Sequence, residues 1–171
     1  MQTTNTFFDK IKQQDISDIL LCGLMDIEEG IAEFIPMMNY VFFKLDTQIL
    51  KFELIEKSLK IKIKYVDSLT YDFDIEEDMY PARSSISDIV LISTLAENTI
   101  KSIEVYDGEY LENELLCSAI SFHLGSGQEL FLDPVSYFGI NIGSKEQKEF
   151  WLSDFPNTDS YTVPKSLIQL S

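Results

Sequence analysis

Apolar and charged residues alternate most clearly between residues 39 and 66. In runs 49–55 and 59–65, every second residue is apolar, and most of the residues between are lysine or glutamate. This period of two, with short polar breaks between the runs, predicts an antiparallel meander with one buried and one wet face. The lysines, Lys51 among them, are expected on the wet face, paired with glutamates across strands or protecting an edge.

The N-terminal pattern is less regular. Apolar residues at helical spacing predict a short helix in 5–15, and the compact apolar run 16–26 favours a strand. Gly30 and Pro36 interrupt the stretch "IEEGIAEFIPMM", residues 27–38, which we interpret as an irregular connection.

The middle of the chain alternates between polar and apolar segments. Residues 68–85 are rich in acids, and we expect a loop there, or the end of a strand running into one. Three apolar segments are strand candidates: 86–96, 99–106 and 114–124.

Glycines and a proline divide the C-terminal third. Gly-Ser-Gly at 125–127 predicts a tight hairpin, followed by strands at 128–133 and 137–142, with Pro134 ending the pairing of the first. A helix is expected at 144–155, with Ser144 as N-cap, Gln147 completing a capping box, and Phe150 and Trp151 anchoring it to the core. Residues 156–171 are expected to be a peripheral tail.

These elements predict one α+β domain spanning residues 1–171. Its main feature is expected to be a mainly antiparallel, twisted β-sheet, with a few peripheral helices. At 171 residues and 45% hydrophobic content, the chain can bury a substantial core. No apolar run is long enough for a membrane-spanning helix, and no secretory signal is evident, so we expect a cytoplasmic protein.

Charge changes this picture more than composition does. The chain has 29 acidic and 13 basic residues, a formal net charge of −16. The acids are concentrated in windows without basic residues: 13–43, 65–82 and 102–144. Such a field repels nucleic acid and anionic membranes and attracts a basic protein, although acidity can also serve solubility alone.

Tyrosine and phenylalanine lie among the acids, a composition that suits a protein-binding surface. Segment 72–78 resembles a calcium loop only superficially, because Glu77 replaces the turn glycine and Arg83 the final acid. We therefore expect the acid-rich loops to bind a basic protein partner, and not a metal. The candidate partner-binding residues are Asp72, Asp74, Glu76, Glu77, Asp78, Asp107, Glu109 and Glu112.

Catalytic groups are sparse. His123, the single histidine, lies in an apolar run and is expected to be structural, and Cys22 and Cys117 are expected to be buried and reduced. No phosphate loop, dinucleotide fingerprint, serine elbow or zinc spacing is present, so we expect no cofactor and no enzymatic activity. A carboxylate-dependent hydrolase remains an alternative, because an acidic chain offers many carboxylate pairs.

Four segments, "FFDKIKQQDISDIL", "MDIEEGIAEFIPMMNYVFFKL", "GQELFLDPVSYFGINIG" and "EQKEFW", resemble small bacterial immunity proteins of contact-dependent growth inhibition and related polymorphic toxin systems. The resemblance covers most of the chain to about residue 152. It implies a cytoplasmic protein that binds and neutralises one cognate toxin, often a basic nuclease, by covering its active site. An acidic DNA mimic that inhibits a DNA-binding protein is the alternative. The oligomeric state is left open.

Overall fold

The computed structural model describes residues 6–55, 57, 59–70, 74–95, 97–135, 139–154 and 163–170. Within these residues, twelve strands pair antiparallel in two sheets. The first sheet has seven strands in the order β5 (Met79–Ser85), β1 (Ile16–Glu28), β2 (Ile31–Leu45), β3 (Ile49–Ile55), β4 (Lys60–Val66), β8 (Glu114–Cys117) and β7 (Glu109–Tyr110). The second has five, in the order β11 (Gly139–Gly143), β10 (Glu129–Val135), β9 (Ala119–Leu124), β6 (Ile100–Tyr106) and β12 (Lys165–Gln169). The helical elements are a 3-10 helix (Phe7–Ile11), α1 (Ser87–Val90) and α2 (Lys145–Asp154).

The main hydrophobic core lies between the two sheets. Phe122 of the second sheet has its ring centroid 5.3 Å from that of Phe43 and 5.9 Å from that of Phe52, both in the first sheet. The same cluster includes Phe8 and Ile11 of the 3-10 helix, which closes one end of the core. The predicted α+β class with mainly antiparallel pairing is therefore confirmed, with two packed sheets in place of one.

The meander β2–β3–β4 is confirmed, and Glu53 pairs across strands with Lys62 at 3.4 Å. The prediction for Lys51 is wrong, because this lysine is only 1% exposed. The chain leaves β4 at one side of β1–β3 and re-enters the sheet as β5 at the other. Leu69 of the connection between β4 and β5 packs on the outer face of the sheet, where the Lys51 ammonium lies 4.9 Å from the ring centroid of Tyr40.

The interpretation of 27–38 as an irregular connection is wrong, because β1 and β2 form one long hairpin through it. Glu29 and Gly30 make the two-residue turn, with φ of 51° and 80°. Two successive positive φ values are what a tight hairpin turn requires, and glycine adopts them without strain. Pro36 is accommodated in β2 opposite Gly23, beside a register shift.

The segment 86–96 is not the predicted strand. Ser87 begins the short helix α1 and is held by two hydrogen bonds: its hydroxyl accepts from the Ile19 amide at 2.8 Å and donates to Asp18 at 2.6 Å. These long-range bonds hold Ser87 on β1 at the start of a helical turn, and Ile89 and Ile92 are exposed at 84% and 76%. Residues 79–85, which we expected in a loop or at a strand end, form the edge strand β5.

The candidate strand 114–124 is two strands in different sheets. The chain passes from the first sheet to the second at Ser118, whose amide donates to the carbonyl of Tyr106 at 2.9 Å. Cys117 and His123 therefore lie in different sheets, and both cysteines are buried and free, as expected.

Helix α2 lies on the outer face of the second sheet and anchors there by one of the two predicted aromatics. Trp151 has its ring centroid 5.4 Å from Tyr106 and 5.7 Å from Phe131, whereas Phe150 is 63% exposed. The predicted capping box between Ser144 and Gln147 is not formed. The Ser144 hydroxyl donates to Glu146, and the Gln147 side chain reaches down to Asp133 at 3.4 Å.

The hairpin at 125–127 is confirmed, with the Gly127 amide donating to the Leu124 carbonyl at 3.0 Å. Pro134 does not end the pairing of β10, because it lies opposite Ile140 and Val135 continues opposite Gly139. Part of the expected tail is structured: β12 pairs with β6 at the sheet edge, and Ile168 and Leu170 are buried. None of the helices in the described residues is both long and apolar enough to cross a membrane.

Candidate functional site

The outer half of the β1–β2 hairpin extends beyond the hydrophobic core. Strand β3 pairs with β2 only from Tyr40 to Lys44, so residues 31–36 of β2 pair with β1 alone. Strand β5 flanks β1 on its other side, with Met79 opposite Asp26. We call this three-stranded extension, residues 23–36 and 79–82, the arm.

One face of the arm is entirely apolar. Opposite residues in an antiparallel pair share a face, and alternate residues along each strand do too. The register places Met25 between Phe34 and Tyr80, and Ile27 opposite Ala32. We call this set the apolar face: Met25, Ile27, Ala32, Phe34, Tyr80 and Ala82.

The other face is mixed, and it carries three carboxylates among the apolar residues Leu24, Ile31, Ile35, Met79 and Pro81. Asp26 lies opposite Glu33, and Glu28 lies opposite Ile31. Together with Glu29 at the turn, these residues line an open hollow of about 380 Å³. Like charges directly opposite each other destabilise a strand pair, so this arrangement costs stability unless a cation is bound.

The predicted acidic loop lies beside the arm. Asp74, Glu76, Glu77 and Asp78 are all exposed and immediately precede β5, whose first residue, Met79, pairs with Asp26. Asp72 lies outside the described residues. We call the combined set the acidic end: Asp26, Glu28, Glu29, Glu33, Asp74, Glu76, Glu77 and Asp78. No ion pair in the described part of the chain involves any of these eight carboxylates.

The other predicted acids lie elsewhere. Glu109 belongs to β7, at the opposite edge of the seven-stranded sheet from β5, and Glu112 follows it. Asp107 is paired with Lys60 at 3.2 Å and accepts from the Ser118 hydroxyl at 3.1 Å, contacts that stabilise a turn. Glu112 lines a hollow of about 560 Å³ with Lys10, Tyr65 and other residues. The predicted site thus divides between two edges of one sheet.

Sequence reasoning did not include the hairpin acids Asp26, Glu28, Glu29 and Glu33 in the candidate site. The signal was present: residues 24–28 and 31–35 alternate around the Glu29–Gly30 pair. One alternating set is fully apolar and the other carries the acids, the pattern of a hairpin with two different faces. The assignment of 27–38 as irregular concealed it.

A second cluster of charges surrounds His123 on the outer face of the second sheet. The His123 Nε2 lies 3.7 Å from Glu104 and 3.8 Å from Glu129, and the three possible ligand atoms lie within 4.8 Å of one another. The Lys148 ammonium contacts both carboxylates, and Lys165 lies 3.5 Å from Glu104. The two carboxylates that could bind a metal ion thus already pair with lysine, which favours a structural role for this cluster.

The cluster's pKa values agree with a structural role. Burial alone would raise the pKa of Glu104, but the Tyr106 hydrogen bond and the charges of Lys148 and Lys165 lower it.

Burial raises the pKa of the Cys22 thiol to about 11, so Cys22 is protonated and a poor nucleophile.

Among the carboxyl groups of the described residues, Asp133 has a clearly raised pKa, at about 6, because of burial. It lies on β10 beneath α2, whereas the acid-lined hollow belongs to the β1–β2 hairpin of the other sheet. The two features that a carboxylate-dependent hydrolase would combine, a raised pKa and an acid-lined pocket, are thus separate here.

No family model, curated protein or solved structure matches this chain. The resemblance to immunity proteins therefore stays a prediction.

Proposed function

We propose that this chain is an immunity-type inhibitor, a binding protein that neutralises a basic toxin domain. The observation that carries the proposal is the acidic end. Four carboxylates of the hairpin line one hollow, and four exposed ones precede β5, whose first residue pairs with Asp26; exposed apolar side chains lie on the same strands, and none of the eight carboxylates forms an ion pair in the described residues. Unpaired carboxylates around an apolar surface suit a partner that supplies lysine or arginine, for example a nuclease cleft that normally binds phosphate.

A partner surface that combines cationic and apolar groups is favoured over a purely phosphate-binding surface, the target of a DNA mimic, by the composition of the arm. A phosphate backbone presents charge on its surface, and a DNA mimic needs only carboxylates at matching spacing. The arm also exposes Ile27 at 53% and Tyr80 at 58%. Exposed aliphatic and aromatic side chains add binding energy only against an apolar counterpart, which a protein partner can offer.

The test uses the protein encoded immediately upstream of this chain, purified as a catalytically inactive variant. We expect a 1:1 complex at low salt. Reversing Glu76 and Glu77 to lysine should slow association about tenfold, because long-range attraction mainly sets the association rate.

Glu109→Lys with Glu112→Lys is the matched control. It changes the net charge by the same amount, also at exposed positions, but at the opposite edge of the sheet. The control should slow association by less than about threefold, since only the general field changes. Equal effects of the two pairs would remove the acidic end from the interface, and no complex at low salt would refute the immunity role.

A further inference from the structure

The apolar face of the arm has no covering layer in the described residues. The three hydrophobic clusters end at Leu21 and Cys22 on β1, and at Met37 and Met38 on β2. Residues of the apolar face, such as Met25 and Phe34, belong to none of them. In the described part of the chain, Ile27, Ala32 and Tyr80 are exposed on this face, and Met25, Phe34 and Ala82 are half-buried.

The size of the face suits the centre of a protein interface. Six residues of β1 span about 20 Å, and three strands are about 15 Å wide, so the face measures on the order of 300 Å². Patches of this size on a soluble protein often mark a binding site. A stable interface buries about 800 Å² on each partner, so the acidic end and the tip must contribute the remainder.

The net charge of the chain decides which kind of partner can cover the apolar face. A second copy of this chain also carries −16, and pairing two arms would bring two acidic ends together. An anionic membrane is repelled in the same way. A partner with lysine or arginine around an apolar site is complementary to both the apolar face and the carboxylates behind it.

We propose that the arm inserts as a blade into a cleft of the basic partner, with its apolar face against an apolar wall and its acidic face against a cationic wall. One face is wholly apolar and the other carries carboxylates among apolar residues such as Ile31, so a partner that contacts both must surround the arm. This inference rests on the proposed function in one respect, that the partner is a basic protein. The carboxylates would mainly set the association rate, and the apolar face would mainly set the dissociation rate.

The first test measures dissociation of the upstream-encoded protein from a double variant, Ile27→Thr with Tyr80→Thr. Threonine keeps the strand propensity and removes the apolar contact area. We expect dissociation roughly 30-fold faster, the effect of losing a central anchor, with little change in association rate. Circular dichroism and thermal unfolding verify that the variant is folded.

Ile89→Thr with Ile92→Thr is the matched control. These residues are at least as exposed, at 84% and 76%, but lie in and after α1, outside the arm. The control should leave dissociation unchanged within about twofold, because exposed side chains outside an interface contribute little. If wild-type chain binds and the two double variants dissociate alike, the arm inference is wrong while the proposed function stands.

The second test does not need the toxin. A peptide of alternating lysine and tryptophan is titrated into ¹⁵N-labelled chain, and amide shifts are followed. We expect the largest shifts in residues 23–36 and 79–82, lost in Ile27→Thr with Tyr80→Thr. Arm-specific shifts without binding of the upstream-encoded protein would support the arm and refute the immunity role. If neither probe perturbs the arm, or if sedimentation shows dimers that the arm variant abolishes, the inference is overturned.

Discussion

Asp133 is a single residue whose burial has a measurable cost. It is 4% exposed on the outer face of β10, and its carboxylate accepts a hydrogen bond from the Gln147 side chain at 3.4 Å. Burial raises its pKa to about 6, more than the hydrogen bonds from Gln147 and Asn141 lower it. The folded chain therefore binds this proton more tightly than the unfolded chain does.

The sign of the pH dependence follows. Stability from the bound proton is fully present below the unfolded pKa near 4 and is lost as the pH rises through 6. Asp133→Asn keeps the shape and the acceptor oxygen but removes the charge. We expect it to match wild type at pH 4 and to be more stable by about 2 kcal/mol at pH 7.5. Urea unfolding at both pH values measures the difference, and a difference that does not grow with pH would contradict the assignment.

At the scale of single residues, the alternation of apolar and polar positions in the sequence identified most side chains buried between the two sheets. It did not identify those buried on the outer face of the first sheet. Leu50 and Phe52 are buried as the pattern predicts, whereas Lys51 between them is also buried. A period of two identifies the face that meets the other sheet. It contains no information about the opposite face, where Leu69 from the connection between β4 and β5 packs as a consequence of the strand order.

Helix α2 illustrates which parts of an element the sequence can specify. Its position was predicted to within a residue at each end, because Gly143 and Ser144 mark its beginning. Which aromatic faces the sheet was not predicted, since Phe150 and Trp151 are adjacent and point in different directions. The structure selects Trp151, which packs between Tyr106 and Phe131.

Replacing each aromatic in turn tests this packing. Trp151→Ala removes ring contacts with two buried aromatics, and we expect a loss of about 2 kcal/mol, below the cost of a fully buried tryptophan because Trp151 is half-buried. Phe150→Ala, the control in the same helix, should change stability by less than about 0.5 kcal/mol. Chemical denaturation gives both values, and comparable losses would mean that α2 is rotated from the orientation described.

Strand order explains what the sequence could and could not predict of the candidate site. The acid-rich loop at 72–78 was identified from composition alone. Its position beside the hairpin depends on β5 pairing with β1, a contact between residues more than 50 positions apart. The same order places Glu109 and Glu112 at the far edge. Composition identifies acidic segments, but long-range pairing decides which of them share a surface.

At the scale of the whole molecule, the net charge of −16 acts on folding and on binding in opposite ways. Repulsion among carboxylates destabilises the folded chain, most of all at the acidic end, while the same field attracts a cationic partner. Added salt screens both effects, since the Debye length falls from roughly 20 Å at 0.02 M to roughly 6 Å at 0.3 M. Salt should therefore stabilise the free protein and slow its association.

Thermal unfolding in 0.02 M and 0.3 M NaCl tests the first half of this expectation. We expect the free energy of unfolding to rise by about 1 kcal/mol, because repulsion among the excess carboxylates outweighs the attraction within the ion pairs, and the exposed pairs contribute little. Glu76→Lys with Glu77→Lys should reduce that rise, since it removes two negative charges from the acidic end and adds two positive ones. A stability that falls with salt would mean that attractive clusters such as Lys148 with Glu104 and Glu129 dominate. In that case repulsion among the carboxylates of the acidic end would not destabilise the free protein. The binding proposal would then lose the repulsion that a cationic partner is expected to relieve.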